Sequence, residues 1–187
     1  MEDTTLSLSA ENAWLAFNNG KFEKQSSSSF NPGFTTSYYW LVAETDSSAT
    51  EAMFLEIGSA QINEILFYEV VNNQPVPRYT TGDHLPFSSR PIPSVNFTFP
   101  LEKTSRHYLI RINKHNESLQ LTYRTRPALK FFEESTELNM TLGIMTGAIV
   151  LMLIFGVFLF AITKELVYLF YILYIAAGWM YVWANQG

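Results

Sequence analysis

The residues that could do chemistry are few, and most stand alone. His84, His107 and His115 are the only histidines in the chain. No two of them have the spacing that sets a pair of metal ligands on one element, so each reads as a surface or loop histidine. Asp83 beside His84 has the look of a catalytic pair. No serine near them sits in a nucleophile motif, however, and the chain has no cysteine, which also excludes disulfides and thiolate metal sites. Glu133, Glu134 and Glu137 invite comparison with the paired carboxylates of a glycoside hydrolase. The simpler reading is the solvated first turns of a helix, where acidic side chains favour the positive end of the dipole. No glycine-rich phosphate loop is present. We therefore expect no enzyme, no catalytic residue, no metal and no cofactor.

Binding chemistry is concentrated in one place. Residues Thr81 to Pro93 form a long loop with one glycine, three prolines and the charges Asp83 and Arg90. Such a loop must be tied down or be functional. Tyr79, Asp83, His84, Phe87 and Arg90 are the candidate ligand contacts. The competing reading has Arg90 pair with Asp83 and staple the loop over the end of the domain.

Composition separates two environments. The chain has 187 residues, a net charge of −5 and a mean hydropathy of +0.05. After Glu137 the only formal charges are Lys164 and Glu165. The acidic balance excludes nucleic acid, which needs clustered Lys and Arg. It does not exclude a bilayer, whose core selects for the absence of charge. Leu142 to Ile162 is uncharged for 21 residues, about 31 Å of helix against a hydrocarbon core of ~30 Å. Leu166 to Trp183 is a second uncharged run. Tyr168, Tyr171, Tyr174, Trp179, Tyr181 and Trp183 suit an interfacial belt. Gly143 and Gly147 form a G-x-x-x-G pair, read either as packing within the chain or as a dimer seam.

The elements that must position the loop are strands. Tyr38 to Ala43, Ala52 to Ile57, Ile65 to Val71, Val95 to Phe99, Arg106 to Asn113 and Ser118 to Tyr123 carry β-favouring or alternating patterns. Val76 to Thr80 holds two prolines and reads as an edge strand. Ala13 to Phe17 reads as a first strand, and Ser26 to Ser29 with Asn31-Pro32-Gly33 as a loop. Seven to nine short strands predict a mainly β fold, an antiparallel sandwich or jelly roll, followed by a two-helix transmembrane hairpin. The expected divisions are 1–127 for the β-sandwich, 128–141 for a helical linker, 142–162 and 166–184 for the spans, and 163–165 for the turn between them. The first residues have neither a basic nor an apolar leader region, so no signal peptide is expected in this sequence.

These residues also carry a resemblance. Tyr39-Trp40-Leu41, Leu55-Glu56-Ile57-Gly58 and Ile65-Leu66-Phe67-Tyr68 precede the string Gly82-Asp83-His84-Leu85-Pro86-Phe87-Ser88-Ser89-Arg90-Pro91-Ile92. Phe97-Thr98-Phe99-Pro100-Leu101 and Tyr108-Leu109-Ile110-Arg111-Ile112 follow it. Together they resemble the type-2 extracellular domain of bacterial seven-transmembrane receptors with diverse intracellular signalling modules (7TMR-DISM). The tail from Leu142 resembles that family's first two membrane helices. The resemblance implies a periplasmic jelly roll similar to carbohydrate-binding modules. It also implies a bacterial inner-membrane location and output through a cytoplasmic histidine kinase or diguanylate cyclase, with five helices and that module lying outside this chain. It sets the β domain outside, residues 163–165 in the cytoplasm and residues 185–187 outside again. The expected partners are the bilayer, a carbohydrate or other small ligand, and a second copy in a homodimer. The rival reading is a protein-interaction or dimerisation module with no small ligand.

Overall fold

A computed structural model describes residues 1–25, 27–45, 51–59, 61–102 and 105–184, with side chains as far as Tyr181. Ser26 of the expected loop, the Trp183 side chain and residues 185–187 lie outside the described residues. The chain divides into two units, Met1–Leu129 and Lys130–Gly187.

The first unit holds nine described strands. They are β1 (Glu2–Asp3), β2 (Ser29–Thr35), β3 (Tyr38–Glu44), β4 (Met53–Ile57), β5 (Glu64–Val71), β6 (Gln74–Thr81), β7 (Phe97–Leu101), β8 (His107–Asn113) and β9 (Glu117–Pro127). A five-stranded sheet has the order β1-β3-β8-β5-β6, and a four-stranded sheet has the order β2-β9-β4-β7. Every pairing is antiparallel. From β2 onward the chain passes to the other sheet at each step, apart from the β5–β6 hairpin. The proline-bearing β6 takes a sheet edge, where a missing N–H leaves no ladder bond unmade.

Alternation along each strand builds the core between the sheets. Tyr39, Ile65, Phe67, Tyr108, Ile110 and Ile112 from one sheet meet Leu55, Ile57, Phe97, Phe99, Leu119 and Leu121 from the other. Phe67 and Phe99 stack across the gap, with centroids 4.4 Å apart and an interplanar angle of 7°. Such a pair contributes about 0.5–1.5 kcal/mol beyond its buried area.

The structure departs from the sequence reading in two places. Ala13 to Phe17 is not a strand but the middle of helix α1 (Ala10–Asn18). Ser9 caps it, its hydroxyl accepting from the Asn12 amide at 3.3 Å. Five apolar residues in a row carry no period, so length and caps decide between helix and strand. As a helix the segment turns Ala10, Ala13 and Trp14 onto the outer face of the five-stranded sheet, over Trp40 and Leu109. Phe17 stacks on Trp14 at 5.1 Å. The Trp14 indole N–H donates to Asn73 Oδ1 at 2.9 Å, fastening the helix to the β5–β6 turn. Second, Asn31-Pro32-Gly33 is not a loop but part of β2, where the register to β9 shifts between Phe30 and Gly33. Gly33 has φ +78°, which the bulge requires and other residues rarely adopt.

The second unit contains the continuous helix α2 (Ala128–Thr163), whose first residues belong to the first unit, and α3 (Leu166–Ala184). The expected linker 128–141 and first span 142–162 thus fall on one helix. Among the described residues α2 is the one helix long and apolar enough to cross a membrane, and Leu166–Tyr181 forms a shorter apolar helix. Lys164, at φ +56°, makes the reversal between them. The two helices approach at Gly156, where an added Cβ would lie 2.9 Å from Ile172 Cγ1. Nothing lies within 4 Å of a Cβ built on Gly143 or Gly147, so neither packs against the described partner helix.

Candidate functional site

The two sheets present different outer faces. That of the five-stranded sheet carries α1 over Trp40, Leu109 and Tyr68, and beside it Arg111 paired with Glu64 and lying over the Tyr38 ring. That of the four-stranded sheet carries the buried Phe54 and, further along, polar side chains organised around a carboxylate.

Glu56 sits in β4 directly between Thr98 of β7 and Arg124 of β9. Its neighbours Leu55 and Ile57 face the core, so Glu56 points the other way. It is nevertheless only 3% exposed. Asn96 donates its side-chain amide to Oε1 at 2.7 Å. Arg124 donates from Nε at 3.3 Å and from Nη2 at 3.2 Å. Arg126 closes an ion pair to Oε2. Burial pushes the Glu56 carboxyl up, but the hydrogen bonds from Arg124, Arg126 and Asn96 and the Arg126 charge outweigh it. The net effect holds it below the ordinary carboxylate value. Arg124 reaches the surface, with its side chain 59% exposed. Beyond it along β9, Thr122, Gln120 and Ser118 alternate outward and are exposed. Phe34 pairs with Ser118 across the β2–β9 ladder and stands 70% exposed on the same face.

A second buried carboxylate lies near the opposite end of the core. Glu69 is held by Ser105 and by Arg78. Close by, the Tyr108 phenol is pushed up to about 12, first by burial and then by the Glu69 and Glu102 charges, against the pull of its 2.9 Å hydrogen bond to the Glu102 carbonyl. The two arginines on Glu56 favour its ionised form, which unsuits it as a general acid.

The predicted loop runs from the end of β6 to the start of β7, at the end of the sandwich away from Pro127. It is tied down by its backbone. Asp83 N donates to Ile62 O at 2.7 Å, His84 N to Asn63 O at 3.3 Å, and the hydroxyls of Thr81 and Ser89 meet at 3.0 Å. One 3-10 turn, Phe87–Ser89, sits within it. Arg90 staples the loop, but through the carbonyls of Ser94 and Val95. Its guanidinium lies over Phe87 at 4.8 Å and over Phe97 at 4.5 Å. No ion pair forms with Asp83 among the described contacts; Asp83 acts only through its charge, offsetting part of the fall that burial imposes on Arg90.

The five predicted residues are therefore divided. Phe87 and Arg90 come together. Asp83 and His84 are exposed on the same loop, where the charge of His84 helps hold Glu117 below its ordinary value after the larger effect of Lys114. Tyr79 instead packs into the core, 5.9 Å from the Phe67 ring and 6.1 Å from that of Phe99. The sequence reading did not single out Glu56, Asn96, Arg124 and Arg126. The available signal was a lone glutamate inside the apolar run Met53 to Ile57, and two arginines two apart on one alternating strand. Among the described residues no three His, Asp or Glu side chains gather where a metal ion could sit.

The described residues thus form a two-sheet antiparallel β-sandwich whose last strand runs into an apolar helix long enough to cross a membrane. The model of the 7TMR-DISM extracellular 2 family matches residues 1–125. The chain belongs to that family, and its sandwich is the outward-facing domain of a receptor. No curated protein matches the chain.

Proposed function

We propose that this chain is the ligand-sensing, non-catalytic part of a bacterial inner-membrane signalling receptor, and that its periplasmic sandwich recognises a carbohydrate. The observation that carries this reading is the inequality of the two outer faces. α1 packs on one of them over Trp40 and Leu109, whereas the β9 part of the other is left open as a ribbon of polar side chains ending at an exposed phenyl ring. Polar groups that hydrogen-bond hydroxyls, beside an aromatic face that stacks on a pyranose ring, suit a saccharide better than an apolar partner surface. The strand order supports a jelly roll: leaving β1 aside, the two sheets read β2-β9-β4-β7 and β3-β8-β5-β6, with the chain crossing between them.

In this reading Leu166–Tyr181 belongs to a second span, and the output module, a kinase or cyclase, lies beyond this chain. A bound saccharide favours one conformation of the sandwich and shifts the receptor only by its differential affinity for the two states. The test is a glycan array probed with the full chain in nanodiscs, followed by thermal-shift titration of the hits. At least one saccharide is expected to raise the unfolding midpoint in a concentration-dependent way. Silence across the array, together with a concentration-dependent dimer, would replace this reading with the protein-interaction one.

A further inference from the structure

We propose that the outward face of β9 is a subsite for an acidic saccharide, with Arg124 taking the carboxylate and Phe34 stacking on a sugar ring. The inference rests on the saccharide-sensing reading above and narrows it to a chemical class.

Arg124 is the group whose surroundings call for an anion. Glu56, its ion-pair partner, is buried and already receives Asn96 and Arg126 at depth. Arg124 adds two contacts from the surface, both at the long end for a charge-assisted hydrogen bond, at 3.3 and 3.2 Å. They use Nε and Nη2, and among the described residues Nη1 has no partner. A guanidinium fixed along one edge by a buried carboxylate, with its outer edge in solvent, is oriented in advance for a second planar, two-oxygen acceptor. A carboxylate presents the two coplanar oxygens that such a fork pairs with.

The rest of the face has the dimensions of a chain rather than of a compact metabolite. Ser118, Gln120, Thr122 and Arg124 project on one side of β9 at steps of about 6.8 Å, so that Phe34, opposite Ser118, stands roughly 20 Å along the strand from Arg124. Thr122 turns its hydroxyl to Gly58 O at 3.1 Å, which leaves the Gln120 amide as the central hydrogen-bonding group of the ribbon. An extended oligosaccharide lying along β9 would stack at one end, hydrogen-bond in the middle and place a uronate carboxylate on Arg124. On the other outer face α1 covers the part around Trp40 and Leu109.

The experiment titrates the full chain in nanodiscs with a panel of uronic-acid oligosaccharides, each paired with its carboxyl-reduced neutral counterpart, and with sulfated oligosaccharides as a third arm. The acidic member of at least one pair is expected to bind about tenfold to a hundredfold tighter than its neutral twin, the weight of one charge-assisted contact. Arg124→Gln should erase that preference, and Arg124→Lys should restore part of it. Phe34→Ala should weaken acidic and neutral members alike. Glu56 keeps Asn96 and Arg126 in the Arg124 variants, and an unchanged thermal midpoint checks that the sandwich is intact. Equal binding of the two members of every pair, a preference for sulfated chains, or a preference that survives in Arg124→Gln would overturn the acidic subsite while leaving saccharide sensing in place. No binding to any saccharide would overturn both.

Discussion

At the scale of single residues, Glu56 is where charge and stability are joined. Its carboxylate is the common acceptor for Asn96, Arg124 and Arg126. Replacing it with glutamine keeps the shape and removes the charge, so Glu56→Gln is expected to cost about 3 kcal/mol in denaturant unfolding followed by tryptophan fluorescence. The pH dependence has a definite sign. Because the folded carboxyl lies below its ordinary value of 4.5, its contribution is fully present above that pH and is lost as pH falls through the folded value. The wild-type midpoint should fall more steeply than that of Glu56→Gln once the pH drops below 4.5. Gly82 is the second residue to test. A Cβ there would meet the backbone, with Asn63 O inside contact distance and Glu64 Cα at 2.7 Å. Backbone cannot rotate away as a side chain can, so Gly82→Ala should lower stability by about 1–3 kcal/mol and release the loop that follows. Gly82 sits in the legible string of the sequence. The Glu56 cluster was not legible, because 68 residues separate Glu56 from Arg124 and 40 separate it from Asn96. Only the register of three strands brings them together.

At the scale of elements, strands with a clean two-residue period were readable and the first 37 residues were not. β3, β5 and β8 fall where alternation and β-branched or aromatic residues placed them. β2 escaped because Pro32 and Gly33 look like a turn, and a bulge uses the same residues as a turn. α1 escaped because Ala13 to Phe17 has no polar residue to reveal a phase, and its capping serine lies outside that run. The role of α1 is nonetheless specific: it covers part of one face of the sandwich, over Trp40 and Leu109. Trp14→Ala should remove that cover at a cost of about 3–5 kcal/mol. Trp14→Phe should lose chiefly the bond to Asn73, about 1 kcal/mol. Comparing their midpoints by near-ultraviolet circular dichroism separates burial from hydrogen bonding. Similar losses in both variants would mean that the Asn73 bond, and not packing, holds the helix down. In the second unit, Gly156→Val should drive α2 and α3 apart and lower the resistance of the hairpin to thermal unfolding in micelles. Gly147→Val meets nothing described within 4 Å and should leave it unchanged.

At the scale of the whole molecule, the division into a charged sandwich and a hairpin with charge only at its turn was legible from composition alone. What composition could not show is that β9 ends at Pro127 and α2 begins at Ala128, with no loop between. α2 continues for 36 residues, about 54 Å of uninterrupted helix. In the full-length receptor, inserting two glycines after Phe132 should uncouple ligand binding from output while leaving affinity unchanged; an unaltered response would show that a stiff helix is not required. The pairing of β9 limits how that strand can move. Its first half, Glu117 to Thr122, is laced to β2, and its second half, Tyr123 to Pro127, is laced to β4 on the opposite edge. A strand gripped on one edge at its start and on the other edge at its end cannot slide without breaking both ladders. It can, however, be wrung by a couple acting about its own axis.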